Sequence, residues 1–224
     1  MNKKENNEVA FFGKITAGIT HEINNVLAII KESTGLMEDL MLLSKEAHFP
    51  YREKFQKSLS RINDQVSRGT NLTGILNKFA HSPDKTISEV DLHELTEQVV
   101  ALSQRFARLQ CVTLVHNSSD QPLMVVTQPV QLQMAIFTAI QCCLDVIESG
   151  GTIELCPQKI GVEYGIHMVC QGHLPSQKVF NDHIYSSEKW TELQKITLAL
   201  RGLAKLDELN CGINIYLPYD IALL

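Results

Sequence analysis

The chain has 224 residues, of which 44% are hydrophobic and 20% charged, with a net charge of -5. That length suits one large domain or two of roughly 100 residues each, with the composition of an ordinary soluble globular protein. The acidic balance, with a pI near 5.9, gives no basic patch for nucleic acid; no apolar run approaches the roughly 20 residues of a membrane span, and the polar start Met1-Asn2-Lys3-Lys4 is unlike a signal peptide, so a cytoplasmic location is the expectation.

From about Val9 to Ser44 the pattern is that of one long helix. Phe12, Ile19, Val26, Ser33 and Leu40 recur every seven residues, with Ile15, Glu22, Ile29, Leu36 and Leu43 as a partner row. Ile23, Ile30 and Met37 widen the stripe beyond a bare two-stranded seam. Ala47-His48-Phe49-Pro50 reads as a turn, because Pro50 disfavours helix at Phe49. A second helix is expected from about Tyr51 to His81, with Phe55, Leu59, Ile62, Val66, Thr73 and Leu76 along one face. Two long helices joined by a short turn form an antiparallel hairpin. One hairpin cannot bury so broad a stripe on itself, so two copies are expected to pair as a homodimeric four-helix bundle, with Ile19 and Leu59 in its interface.

Turn formers at Ser82-Pro83-Asp84-Lys85 mark a domain boundary, dividing residues 1–82 from 86–224. Beyond it the expected order is a strand at Ile87–Val90 and a helix from the Asp91 cap to Leu109, with Glu94 as capping-box partner. Strands follow at Cys111–His116 and Leu123–Thr127, then a helix from Pro129 to Glu148. Strands at Thr152–Cys156 and Val162–Cys170, one helix from Ser187 to Leu209 and a strand at Gly212–Leu217 complete the chain. This describes an α+β sandwich, with one layer of helices on one mixed sheet.

The six cysteines, Cys111, Cys142, Cys143, Cys156, Cys170 and Cys211, show no C-x-x-C spacing and read as small hydrophobes in a reducing core. Among the eight histidines His21 stands out. It lies off both core rows of the first helix and is expected to face solvent. An unperturbed imidazole is mostly neutral at physiological pH, leaving one ring nitrogen free to attack phosphorus. Asn24 and Asn25, three and four residues on, share its face; Asn25 is placed to hold a phosphoryl oxygen or orient water. Glu22 points about 100° away. The other seven histidines show no metal spacing and read as surface or capping residues. Lys14 and Lys31 are candidate cations for attracting an acidic partner, against the plainer reading of a solvated helix side.

The stretch Phe12-Gly13-Lys14-Ile15-Thr16-Ala17-Gly18-Ile19-Thr20-His21-Glu22-Ile23-Asn24-Asn25 resembles the phosphoacceptor box of two-component sensor histidine kinases. Val90-Asp91-Leu92-His93-Glu94-Leu95 resembles the opening of that family's ATPase domain. The resemblance implies a dimerisation and histidine-phosphotransfer hairpin followed by an ATPase-like α/β sandwich. It implies His21 as phosphoacceptor, Glu22 as base or orienting group, and Asn25 as a helper. Three nucleotide-site signatures are missing. The family's magnesium-coordinating asparagine falls on Cys142, and a thiol is a poor magnesium ligand. Cys170-Gln171-Gly172-His173-Leu174 stands where D-x-G-x-G should read adenine. The stretch Asn181 to Leu200 holds no glycine for a phosphate lid.

ATP binding is therefore not expected, and no cofactor is expected in this chain. The combination looks like the degenerate-kinase histidine phosphotransferases, whose magnesium is supplied by the partner. That resemblance implies a response-regulator receiver domain as partner, with a sensor kinase as a further candidate, and no nucleic-acid or membrane partner. A receiver phosphatase activity through Glu22 and Asn25 is compatible with it. The competing readings are an ATP-dependent histidine kinase with an unusual nucleotide site, and a dimeric regulator that docks without transferring phosphate.

Overall fold

In the computed structural model, residues 3–43, 51–82, 86–117, 119, 121–160 and 163–218 are described. Helix α1 spans Lys3–Leu43 and α2 spans Arg52–Ala80. Together they form the expected hairpin; the predicted turn at Ala47–Pro50 lies outside the described residues. The first heptad row is the one that faces α2. Ile19, Val26, Ser33 and Leu40 are all buried. The helices lie close together where Gly69 faces Val26, since a Cβ there would lie 3.2 Å from Val26 Cγ1.

The partner row behaves differently along its length. Ile15 and Glu22 are buried, whereas Leu36 is exposed. The reason is the α/β sandwich beyond α2, which covers only the N-terminal half of α1. Phe11, Phe12 and Ile15 of α1 meet Phe79 of α2 and Phe137 beyond, with Phe11 and Phe137 ring centroids 5.4 Å apart. One apolar core thus runs from the hairpin into the sandwich. This corrects the expectation for Ile19. At 2% exposure it belongs to the protomer's own core, so its substitution reports on folding rather than on dimer contacts alone. Leu59 and Val66 of α2, with Val9, Leu27 and Met41 of α1, remain exposed.

Beyond the hairpin, β1 (Ser88–Asp91) pairs antiparallel with β3 (Met124–Thr127). Between them run α3 (Leu92–Leu109) and β2 (Thr113–His116). Asp91 caps α3 as expected, and its Oδ1 accepts from the backbone N–H of both His93 and Leu123 at 3.0 Å. One carboxylate oxygen therefore starts the helix and ties it to the approach to β3. Helix α4 (Pro129–Leu144) is buried on nearly every side, as its all-round apolar sequence requires.

The main sheet has the order β2-β4-β5-β7-β6, built from β4 (Thr152–Ile160), β5 (Glu163–Gln171), β6 (Leu203–Leu206) and β7 (Gly212–Leu217). Among the described residues only β2 and β4 pair in parallel; the other neighbours are antiparallel. The expected α+β class and mixed sheet are present, but β1 and β3 pair apart from it as a two-stranded sheet instead of joining one sheet.

Three elements depart from expectation. β4 continues past Cys156 through Pro157. Among the described residues β2 pairs with β4 only as far as Leu155, so the missing N–H of Pro157 disturbs no described ladder on that side. Helix α5 (Gln177–Ser186) forms where no element was expected, and the expected single helix Ser187–Leu209 is instead α6 (Glu188–Ala199) and strand β6. Ser187 ends α5 and caps α6, its Oγ accepting from Trp190 N–H at 3.1 Å. Arg201 then takes a positive φ of 54°, and any side chain at Gly202 would collide with the Tyr216 carbonyl. Leu203-Ala204-Lys205-Leu206 reads locally as helix; pairing with β7 overrides that preference.

Candidate functional site

His21 lies midway along α1 and is exposed, as are Thr20, Asn24 and Asn25. It stands near the end of an open groove of ≈ 970 Å³ that runs along α1 from Glu8 to Asn24. The predicted pair of amides therefore does share an open face with the imidazole.

Glu22, one residue on, has a different environment. It is only 5% exposed, and its carboxylate gathers three guanidiniums from two other helices. Arg68 of α2 donates to Oε2 at 2.6 Å, Arg105 of α3 approaches Oε1 at 3.9 Å, and Arg108 of α3 contacts Oε2. A buried carboxylate needs such compensation. The result is a junction of α1, α2 and α3. Directly above it Gly18 allows α3 to lie close, since a Cβ there would stand 3.4 Å from the Phe106 ring. His21 and Glu22 thus have separate settings, one open to solvent and one inside an ion-pair junction.

The sequence reading missed these arginines. The available signal was modest: Arg105 and Arg108, three apart, share one face of α3. The lysines it named are placed differently. Lys14 donates to Gln141 Oε1 of α4 at 3.1 Å and lies 5.3 and 5.1 Å from the Phe106 and Phe137 ring centroids. Loss of water there, reinforced by Lys189, lowers its pKa. Lys31 is exposed.

In the α/β sandwich, Cys142 is fully buried, at 0% exposure, and burial pushes its thiol up to about 12. The protonated thiol is a packing group in this setting. Helix α6 lies against α4, burying Trp190 and Leu193, and Lys189 Nζ bonds Asp145 Oδ1 at 2.6 Å. Gly172 follows β5 with φ 111°, and a Cβ there would lie 2.9 Å from Gly151 Cα. It serves contact between two turns. Among the described residues no group of three or more His, Cys, Asp or Glu side chains is arranged to hold a metal ion.

Of the other histidines, His93 departs from the surface reading. It is buried, with its ring centroid 5.9 Å from that of His116. His167 Nδ1 stands 3.6 Å from Asp207 Oδ2. His48 lies outside the described residues. No described helix is long and apolar enough to cross a membrane.

No family model matches the sequence, and no curated protein is significantly similar to it. Solved structures of similar shape include histidine kinases. The catalytic domain of histidine kinase ThkA matches 61% of this chain and 99% of its own, at 15% identity and a TM-score of 0.48. Acinetobacter baumannii histidine kinase AdeS matches 89% of this chain and 98% of its own, at 11% identity and a TM-score of 0.45. ThkA in complex with response regulator protein TrrA matches 96% of this chain and 64% of its own, at 16% identity and a TM-score of 0.47. With TM-scores below 0.5, these likenesses assign no role to any residue here.

Proposed function

We propose that this chain is a histidine phosphotransfer protein of a two-component phosphorelay. It would carry a phosphoryl group on His21 to and from the aspartate of a receiver domain. The observation that carries the reading is the placement of His21. Its imidazole is exposed on a long helix with Asn24 and Asn25 beside it, while the adjacent Glu22 is committed to Arg68, Arg105 and Arg108.

In the forward step a ring nitrogen attacks the phosphorus of the receiver's aspartyl phosphate. The N–P bond forms as the O–P bond breaks, the aspartate leaves as carboxylate, and the second ring nitrogen releases its proton to solvent. Return to another receiver reverses each change. The acceptor aspartate and a magnesium ion to offset phosphoryl charge are expected on the receiver, so this chain has to supply a positioned nucleophile and a docking surface. Asn25 is proposed to hold a phosphoryl oxygen or to orient a water, the latter giving receiver phosphatase activity. Glu22 is proposed to act by positioning, fixing the turn of α1 that bears His21 against α2 and α3.

The packing of the second domain supports phosphotransfer over ATP-dependent autophosphorylation. A buried thiol stands at the position expected for a magnesium ligand, and α6 rests on α4 with a buried Trp190. The exposed Leu27, Met41, Leu59 and Val66 along the hairpin support a homodimer, because a monomer rarely leaves so extended an apolar surface uncovered. The test is labelling. Incubated with labelled ATP and magnesium alone, the protein is expected to stay unlabelled; incubated with a phosphorylated receiver, it is expected to be labelled on His21. Labelling from ATP alone would favour a kinase instead.

A further inference from the structure

We propose that the surface by which a partner reaches His21 extends onto the second domain, where Arg105, Arg108 and Leu109 at the end of α3 meet an acidic face of the receiver. This rests on the phosphotransfer reading above and names the part of the molecule that reading leaves without a task.

The placement follows from α1. Phe11, Gly18 and Asn25 stand seven residues apart and form one row. Phe11 meets Phe79 of α2 and Phe137 of α4, and Gly18 lies under the Phe106 ring of α3, so α4 and then α3 pack along this row. Asn25 is the next position on it, four residues from His21. On the other side of Asn25's row is Glu22, which Arg105 and Arg108 reach from α3. His21, Glu22 and Asn25 lie within about one helical turn of α1, roughly 6 Å along its axis, and the two arginines reach that turn from α3 on the Glu22 side. One heptad before His21, Lys14 touches Gln141 of α4, so the second domain borders the histidine's face from that end as well. A stable interface covers about 800 Å² per partner, a disc of roughly 16 Å radius. A partner seated on His21 at that size reaches the end of α3.

The charge there is unbalanced. Three guanidiniums meet one carboxylate, and Arg68 and Arg108 keep 38% and 49% of their side-chain surface in water. This local excess of cation stands in a chain of net charge -5. Leu109, next to Arg108, is among the exposed large hydrophobic residues. A cationic rim beside an apolar side chain fits a partner whose phosphorylated aspartate is set among further carboxylates.

The test separates docking from mere packing by the sign of two effects. From a panel of purified receiver domains loaded with acetyl phosphate, the one that labels His21 is taken, and its association and transfer rates are measured at low and high salt. Replacing Arg105 and Arg108 together by Gln is expected to slow association about fivefold at low salt, with the difference fading at high salt. Replacing both by Lys is expected to preserve most of the rate. Glu22→Gln breaks the same ion pairs but adds positive charge, and is expected to speed association about twofold.

If Glu22→Gln and the double Gln variant slow association alike, the arginines act only in packing and the inference is overturned. Rates unchanged in every variant overturn it too. If no receiver labels the unaltered protein, the phosphotransfer reading itself fails and this inference falls with it.

Discussion

His21 and Glu22 are neighbours in sequence, and the structure requires them to respond in opposite ways to substitution. His21→Ala removes an exposed imidazole, and surface changes of this kind alter stability by within about 0.5 kcal/mol. Glu22→Gln removes the charge that three guanidiniums share. Breaking a fully buried pair costs about 3–5 kcal/mol. Here the arginine side chains are 24–49% exposed, so water recovers part of the loss and about 1–2 kcal/mol is the expected cost. For a chain of this size each kcal/mol moves the melting midpoint by about 2–4 °C. Glu22→Gln should therefore melt about 2–8 °C lower and His21→Ala within about 2 °C of the parent, at fixed protein concentration because a dimer's midpoint depends on it.

Labelling from a phosphorylated receiver should run the other way, lost in His21→Ala and retained in Glu22→Gln. Calorimetric melts and a single-turnover labelling assay check both halves. Two results would refute the reasoning: equal midpoints for the two variants, which would mean that the junction does not hold the helices together, or a His21→Ala protein that still accepts label.

Further outcomes are expected. Leu59→Asp, at a side chain 43% exposed within the protomer, should leave the fold intact yet shift sedimentation from dimer to monomer; a monomeric parent at micromolar concentration would contradict the dimer. Cys142→Asn should not create an ATP site, and calorimetry with magnesium-ATP should stay flat. The larger amide in a fully packed position is instead expected to cost about 1–3 kcal/mol. Burial lowers the His116 pKa, partly opposed by Glu97, so the unfolded chain binds this proton more readily. Unfolding free energy should then rise with pH from the lowered value up to the ordinary 6.5, and be lost as pH falls back through that window. In His116→Gln the slope should flatten, measured by urea titration across that range. Asn25→Ala should slow phosphoryl transfer or dephosphorylation while leaving receiver affinity unchanged in a binding titration.

Much of this molecule is local and could be read from the chain. The heptad row Ile19, Val26, Ser33, Leu40 specifies which face of α1 meets α2, because helical periodicity fixes side-chain direction wherever the helix packs. Asp91 announced the start of α3 through a hydrogen bond to His93, two residues away. The off-row position of His21 placed it in solvent by the same geometry. What remained out of reach depends on contacts between distant segments. The stop of the partner row at Leu36 reflects where the α/β sandwich ceases to cover α1, and no local pattern records that limit. Leu203–Leu206 became a strand only because β7 offers it a hydrogen-bonding edge. The setting of Glu22 is the clearest case. Its charge in an apolar row gave no hint of its compensation, because Arg68 lies 46 residues away and Arg105 and Arg108 more than 80. Only the packing of α3 against the hairpin brings their guanidiniums to one carboxylate, since the cost of burying that charge is met by groups that meet solely in the folded chain.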